Sequence, residues 1–183
     1  MLNIILIAVV VAVIVFLLVA AMQPAEFRVT RSAAMTAPVL DAFVQVNDLR
    51  KWDAWSPWAK LDPAAKATFE GPPAGTRAAF AWAGNNKIGE GRMTITDSRP
   101  NELVRFRLEF VKPFKAVNTA EFMFKPEGNR TVVTWTMSGT NNFMAKAVGL
   151  FINCERMVGG QFEQGLANMR AVVEAAPGRE KTR

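Results

Sequence analysis

The sequence predicts an α+β fold: a twisted antiparallel sheet packed against one long C-terminal helix, preceded by a single apolar helix at the N-terminus. Three observations predict it. Leu2 to Met22 carry no charge and are almost all Ile, Leu, Val, Ala or Phe, about the 20 residues an α-helix needs to cross a bilayer's hydrocarbon core. From about Thr68 to Gly139 apolar and polar residues alternate between short turn-rich links, as in consecutive antiparallel strands with one face buried. After Gly139 the apolar period becomes helical and persists to about Ala175. One apolar sheet face and one apolar helix stripe have to cover each other. The chain behind the apolar helix, over 24–176, suits one domain with a sizeable core and is too short for two.

The N-terminal run, 1–23, predicts a retained transmembrane anchor. Its rival is a cleaved signal with Val19 to Ala21 as the cut site. That reading lacks a basic n-region, and the apolar run exceeds the ~7–15 residues usual for such a segment. No Lys or Arg precedes the run, whereas Arg28 and Arg31 follow closely. The positive-inside rule therefore makes this a single-pass protein of the cell membrane with its C-terminal domain in the cytoplasm. Glu26 to Met35 alternates as a half-buried strand, Phe27 and Val29 against Arg28 and Thr30. Thr36 is placed to N-cap a short helix with Pro38 in its first turn. Val39, Leu40, Phe43 and Val46 give that helix an apolar side before Asn47 and Asp48 end it. The stretch "RKWDAWSPWAKLDP", Arg50 to Pro63, then holds three of the five tryptophans, Trp52, Trp55 and Trp58, at every third position of a proline-punctuated loop.

Five strands follow. Ala78, Phe80 and Trp82 share a face, and after a turn at Asn85 to Lys87 so do Met93 and Ile95. Val104, Phe106, Leu108 and Phe110 alternate with Arg105, Arg107 and Glu109; then come Ala120, Phe122 and Phe124, and finally Val133, Trp135 and Met137. Arg105, Arg107, Glu109 and Glu121 fit cross-strand pairs on the solvent face. The parity of Glu90 sets it opposite Met93 and Ile95, on the surface. Beyond the sheet, Asn141 or Asn142 caps a short helix, the chain breaks near Gly149 to Asn153, and a long helix follows. Its apolar stripe reads Phe151, Cys154, Val158, Phe162, Leu166, Met169 and Val173, interrupted by Gly159 and Gly160. The basic residues at 177–183 predict a disordered tail.

Composition narrows the chemistry. The 22 basic and 16 acidic residues leave a net charge of +6, but the cations are scattered, so no nucleic-acid partner is expected. One cysteine rules out an internal disulfide and a Cys-rich metal site. The absence of histidine excludes a Ser-His-Asp triad, a Cys-His pair, His-ligated zinc and the 2-His-1-carboxylate iron site. Neither metal nor cofactor is expected, and with tyrosine missing too, any catalysis would rest on carboxylates, Lys, Ser/Thr, Cys154 or water. The balance is against an enzyme. No feature of the sequence sets an oligomeric state.

Four stretches in order carry a family resemblance: Trp52 to Pro63, "WAGNNKIGEGRMTI" at Trp82 to Ile95, "TVVTWTMSG" at Thr131 to Gly139, and "GGQFEQGLANM" at Gly159 to Met169. Together, over about residues 26 to 175, the chain resembles the START-related SRPBCC superfamily in its polyketide cyclase/dehydrase-like branch. The resemblance implies a helix-grip fold, a curved sheet wrapped around a long C-terminal helix, with a ligand cavity between them. It implies no single chemistry, and the His or Tyr that enzymatic members often use is missing here. The expected function is a membrane-anchored binding domain for a hydrophobic small molecule or lipid, with a cyclase/dehydratase-type enzyme or a membrane-tethered scaffold as alternatives. The candidate ligand-binding residues are Trp52, Trp55, Phe80, Trp82, Met93, Phe106, Phe110, Phe122, Trp135, Val158 and Phe162. The tryptophan segment either closes one end of the cavity as a lid, using the amphipathic character of Trp, or packs under its own loop to fix it.

Overall fold

A computed structural model describes residues 2–151 and 153–175; the tail expected at 177–183 lies outside them. The first helix, α1 (Leu2–Met22), is apolar along its whole length and exposed along nearly all of it. Its Asn3–Met22 portion has a mean hydropathy of 3.6, long and apolar enough to cross a membrane. A short link leads into β1 (Glu26–Met35). Asn141 fastens that link: its backbone N–H donates to the Ala25 carbonyl at 2.7 Å and its side-chain amide to Pro24 at 3.3 Å.

The sheet has seven antiparallel strands in the order β1-β7-β6-β5-β4-β3-β2. They are β2 (Lys66–Glu70), β3 (Ala79–Ala83), β4 (Glu90–Arg99), β5 (Leu103–Lys112), β6 (Ala116–Glu127) and β7 (Arg130–Thr140), with β1. The five predicted hairpin strands and β1 are present, and β2 is an addition. Its sequence, KATFE, is exposed at every position and alternates over only five residues. Register shifts at Glu90/Gly91 and Ile95/Asp97 bend β4, as extra unpaired residues do in a sheet. One face carries Val29, Met35, Ile95, Val104, Phe106, Ala120, Phe122, Phe124, Val133 and Trp135, all buried. The other carries the cross-strand Arg105–Glu121 ion pair (2.7 Å) that parity predicts and an Arg107–Glu109 pair (3.0 Å) within β5, and Glu90 sits on that face bound to Lys112 at 2.8 Å.

Helix α2 (Val39–Asn47) begins one step later than Thr36 capping would require. Pro38 occupies the N-cap position, with no side-chain cap, and the Thr36 backbone N–H donates to the Glu174 carboxylate at 2.7 Å. Proline's fixed φ, with no N–H to satisfy, suits a helix entry. After β7 come α3 (Phe143–Gly149), capped by Asn142 accepting from the Ala145 N–H, and α4 (Cys154–Glu174). The break falls where the glycine signal put it. Phe162, Leu166, Met169 and Val173 form the buried stripe of α4, whereas Phe151, expected on that stripe, precedes α4 and is 80% exposed. The break resets the helical phase, so a period counted through it misplaces the first member. The Cys154 side chain lies outside what is described.

A cluster of ion pairs ties α4 to β1. Arg31 shares its face of β1 with Val29 and Met35, and its guanidinium reaches Glu163 at 2.6 Å and Glu155 at 2.9 Å. Between them Gly159 leaves the room, since a Cβ there would collide with the Arg31 guanidinium. Glu155, Gly159 and Glu163 are spaced four apart, one above another on a helix face. The two carboxylates, as hydrogen-bond partners, raise the Arg31 pKa above its ordinary value. The main backbone neighbours of α4 are accordingly β1, α2 and the turn after α2.

Candidate functional site

The tryptophan segment opens as a 3-10 helix, Leu49–Ala54, with Asp48 capping it by accepting from the Arg50 N–H at 3.0 Å. Three residues per turn in such a helix explain why Trp52 and Trp55 recur every third position and end up neighbours, ring centroids 4.6 Å apart. Their indole N–H groups donate to the carbonyls of Val46 (3.0 Å) and Gln45 (3.1 Å). Those carbonyls belong to the last turn of α2, which has no helical partners for them. Of the two roles open to this segment, the geometry is that of packing: Trp55 is 1% exposed and Trp52 9%.

Around this pair the rings close. Trp52 meets Phe106, Phe122 and Trp135 edge to face at 5.4, 5.8 and 6.2 Å. Trp135 is stacked between Phe122 at 4.6 Å and Phe162 of α4 at 4.0 Å. Trp58 caps the group at 5.8 Å from Trp135. Gly165 lets α4 come this close, since a Cβ there would lie 2.9 Å from the Trp135 ring and 3.1 Å from Pro57. The hollow expected between sheet and helix is thus filled at the α2 end by Trp52, Trp55, Phe106, Phe122, Trp135 and Phe162. The rings meet edge to face or stacked, the arrangements aromatic pairs favour. One polar atom is left over. Among the described residues, the Trp135 Nε1 is the buried side-chain nitrogen or oxygen without a hydrogen-bond partner, an omission that costs about 1–3 kcal/mol.

The remaining predicted residues lie farther along the same face. Met93 is buried, in register with Phe80 and Leu108. Phe80, Trp82 and Phe110 are half-buried and form a row: Phe80 stacks on Trp82 at 6.0 Å, and Trp82 meets Phe110 at 5.9 Å. The Trp82 ring lies over Gly91, whose missing side chain makes the room, and its N–H donates to the Ile88 carbonyl at 3.1 Å. Phe69 extends the row at 5.1 Å from Phe80, under the Arg50 guanidinium at 5.0 Å. Sequence reasoning missed both; Ala67 and Phe69 in KATFE do alternate, which was the available signal. Val158 is half-buried one turn before Phe162 on α4. The eleven predicted residues thus split into a closed core and an open aromatic row, with α4 leaning away from the row onto β1.

A concavity of about 840 Å³ lies elsewhere. It is an open depression on the outer sheet face, walled by solvent-side residues including Arg28, Thr96, Arg105, Arg107, Thr119 and Ser138. Two of its arginines are already committed to the ion pairs described above, so we assign the candidate site to the aromatic row. No group of three or more metal-ligating side chains gathers among the described residues.

A family model described as "Polyketide cyclase / dehydrase and lipid transport" matches residues 26–174. The chain belongs to this family. Structures similar to this polyketide cyclase/dehydrase-family domain include protein MLL2253 from Mesorhizobium loti, 11% identical with a TM-score of 0.61, covering 83% of this chain and 100% of that one. The Aha1 dimer from Colwellia psychrerythraea is 12% identical with a TM-score of 0.59, covering 83% and 99%. The di-domain ARO/CYC BexL from the BE-7585A biosynthetic pathway is 14% identical with a TM-score of 0.59, covering 87% of this chain and 53% of BexL. At such identities the likeness shows the fold, and that fold is the helix grip. No curated protein matches in sequence.

Proposed function

We propose that this family member is a membrane-anchored binding domain for a hydrophobic small molecule or lipid, held on the concave face between the aromatic row and the start of α4. The observation that carries this reading is the half-exposed row of Phe69, Phe80, Trp82 and Phe110, a run of rings on the gripping face of the sheet. Sites for small molecules are built this way, mostly apolar with few polar groups. The closed cluster of Trp52, Trp55, Met93, Phe106, Phe122, Trp135 and Phe162 lies beside the row on the same face of the sheet. The α1 helix anchors the domain in the cell membrane, with the domain in the cytoplasm by the votes of Arg28 and Arg31. Tethering raises the local concentration of membrane-derived ligands at the site.

The test is uptake. Detergent-extracted protein examined by native mass spectrometry retains a small hydrophobic molecule, and delipidated protein binds a fluorescent fatty acid or sterol. Phe80→Ser and Phe110→Ser weaken that binding by about tenfold, the worth of one buried apolar side chain, with a small change in melting temperature because both positions are half-exposed. No uptake across a broad lipid and polyketide panel overturns the reading.

A further inference from the structure

We infer that the end of the sheet from which α1 emerges is a bilayer-docking surface, formed by α3 with its following linker and by the β5–β6 hairpin tip. The inference rests on the anchor proposed above. Helix α3 packs beside α1 rather than on the sheet. The Lys146 amine donates to the Ala21 carbonyl at 3.4 Å, answering one of the open carbonyls at the end of α1. Just past α3, the Phe151 ring stacks on Phe16 with centroids 5.9 Å apart. Phe16 stands six residues before Met22, which at 1.5 Å per residue is about 9 Å down the helix. With α1 in a membrane, Phe151 lies inside the apolar layer and α3 lies at its surface.

The side chains agree with that depth. Phe143, Met144 and Phe151 are 47%, 57% and 80% exposed, and Phe143 to Asn153 contains one lysine and no acid. Water-facing phenylalanines of that size, continuous with the apolar surface of α1, are what an interfacial segment buries among acyl chains.

The hairpin adds an independent contribution. Glu26 pairs with Thr140, Asn118 with Gly139 and Ala116 with Phe110, so the tip at Lys112 to Lys115 lies at the same end of the sheet as the exit of α1. At ~4.8 Å per strand it stands roughly 10–15 Å from β1. Phe114 at that tip is 60% exposed between Lys112 and Lys115. With Lys112 paired to Glu90, an exposed ring beside Lys115 fits an anionic headgroup layer, with that lysine at the phosphates and the ring below.

The test uses the full chain in vesicles of phosphatidylcholine and phosphatidylglycerol, doped with a phospholipid that carries a photoreactive acyl chain. Labelled peptides are mapped by mass spectrometry after illumination. The expected result is labelling of α1, of the peptide with Phe143 to Phe151, and of the peptide with Lys112 to Lys115. Phe151→Asp and Phe114→Asp each reduce labelling of their own peptide by about tenfold, with labelling of α1 unchanged. Labelling confined to α1 overturns the docking surface and leaves the anchor standing. Absence of labelling from α1 itself removes the anchor, and the docking surface with it.

Discussion

Single residues in this domain separate what packs from what binds. Trp52 and Trp55 each have a satisfied N–H and several ring partners. Trp52→Ala or Trp55→Ala therefore costs about 3–5 kcal/mol, as for other buried large-to-small changes, readable in urea unfolding. A lid residue would have left stability nearly untouched. Trp135 differs in one atom. Trp135→Phe keeps a ring between Phe122 and Phe162 and removes the unpaired N–H, so the free protein loses under about 2 kcal/mol, since the cavity left by the smaller ring is offset by relief of that donor. Because Trp135 lies in the sealed cluster, uptake of a guest on the open row should change little, and titration beside the unsubstituted protein checks it.

Elements show how far the sequence could be read. Adjacent Gly159 and Gly160 look alike in sequence, yet the structure gives them opposite roles. At Gly160 a Cβ meets nothing within 4 Å, so Gly160→Ala raises stability by about 0.5–1 kcal/mol through helix propensity. At Gly159 the same methyl displaces Arg31 from Glu155 and Glu163, and the gain is cancelled or reversed; paired denaturation curves decide. The helix break at Gly149 to Asn153 and the strand faces were legible because glycine cost and period-two contrast are local properties. β2 was missed because its alternation, Ala67 and Phe69, spans only five residues, and Phe151 was misplaced because the period was carried across the break. The candidate site was half legible: parity shows that Phe80, Trp82, Phe106 and Phe122 face inward. It does not show where α4 lies, and that decides which rings are sealed and which are open. At the β4–β5 ends, Glu90 raises the pKa of Lys112 through their hydrogen bond and charge attraction. A raised cation pKa stabilises the fold fully below the unfolded value, about pH 10, and the contribution is lost as pH rises through the folded value. Both groups are solvent-exposed, so the effect is small, and Glu90→Gln removes it from a pH series of melting temperatures.

At the scale of the whole molecule, the anchor and the grip form one arrangement. The protein from membranes should have its intact mass, near 20.2 kDa, with residues 1–21 retained; a signal cut after Ala21 would remove them. Mass spectrometry of the extracted protein distinguishes the two. Helix α1 leads into β1, an edge strand held to the rest of the sheet by β7 alone. Ten paired positions, from Glu26↔Thr140 to Met35↔Thr131, join β1 to β7. If α1 is the anchor proposed above, a pull on it enters the domain through this ladder. The open aromatic row, toward the opposite edge of the sheet, would then stand farthest from the load.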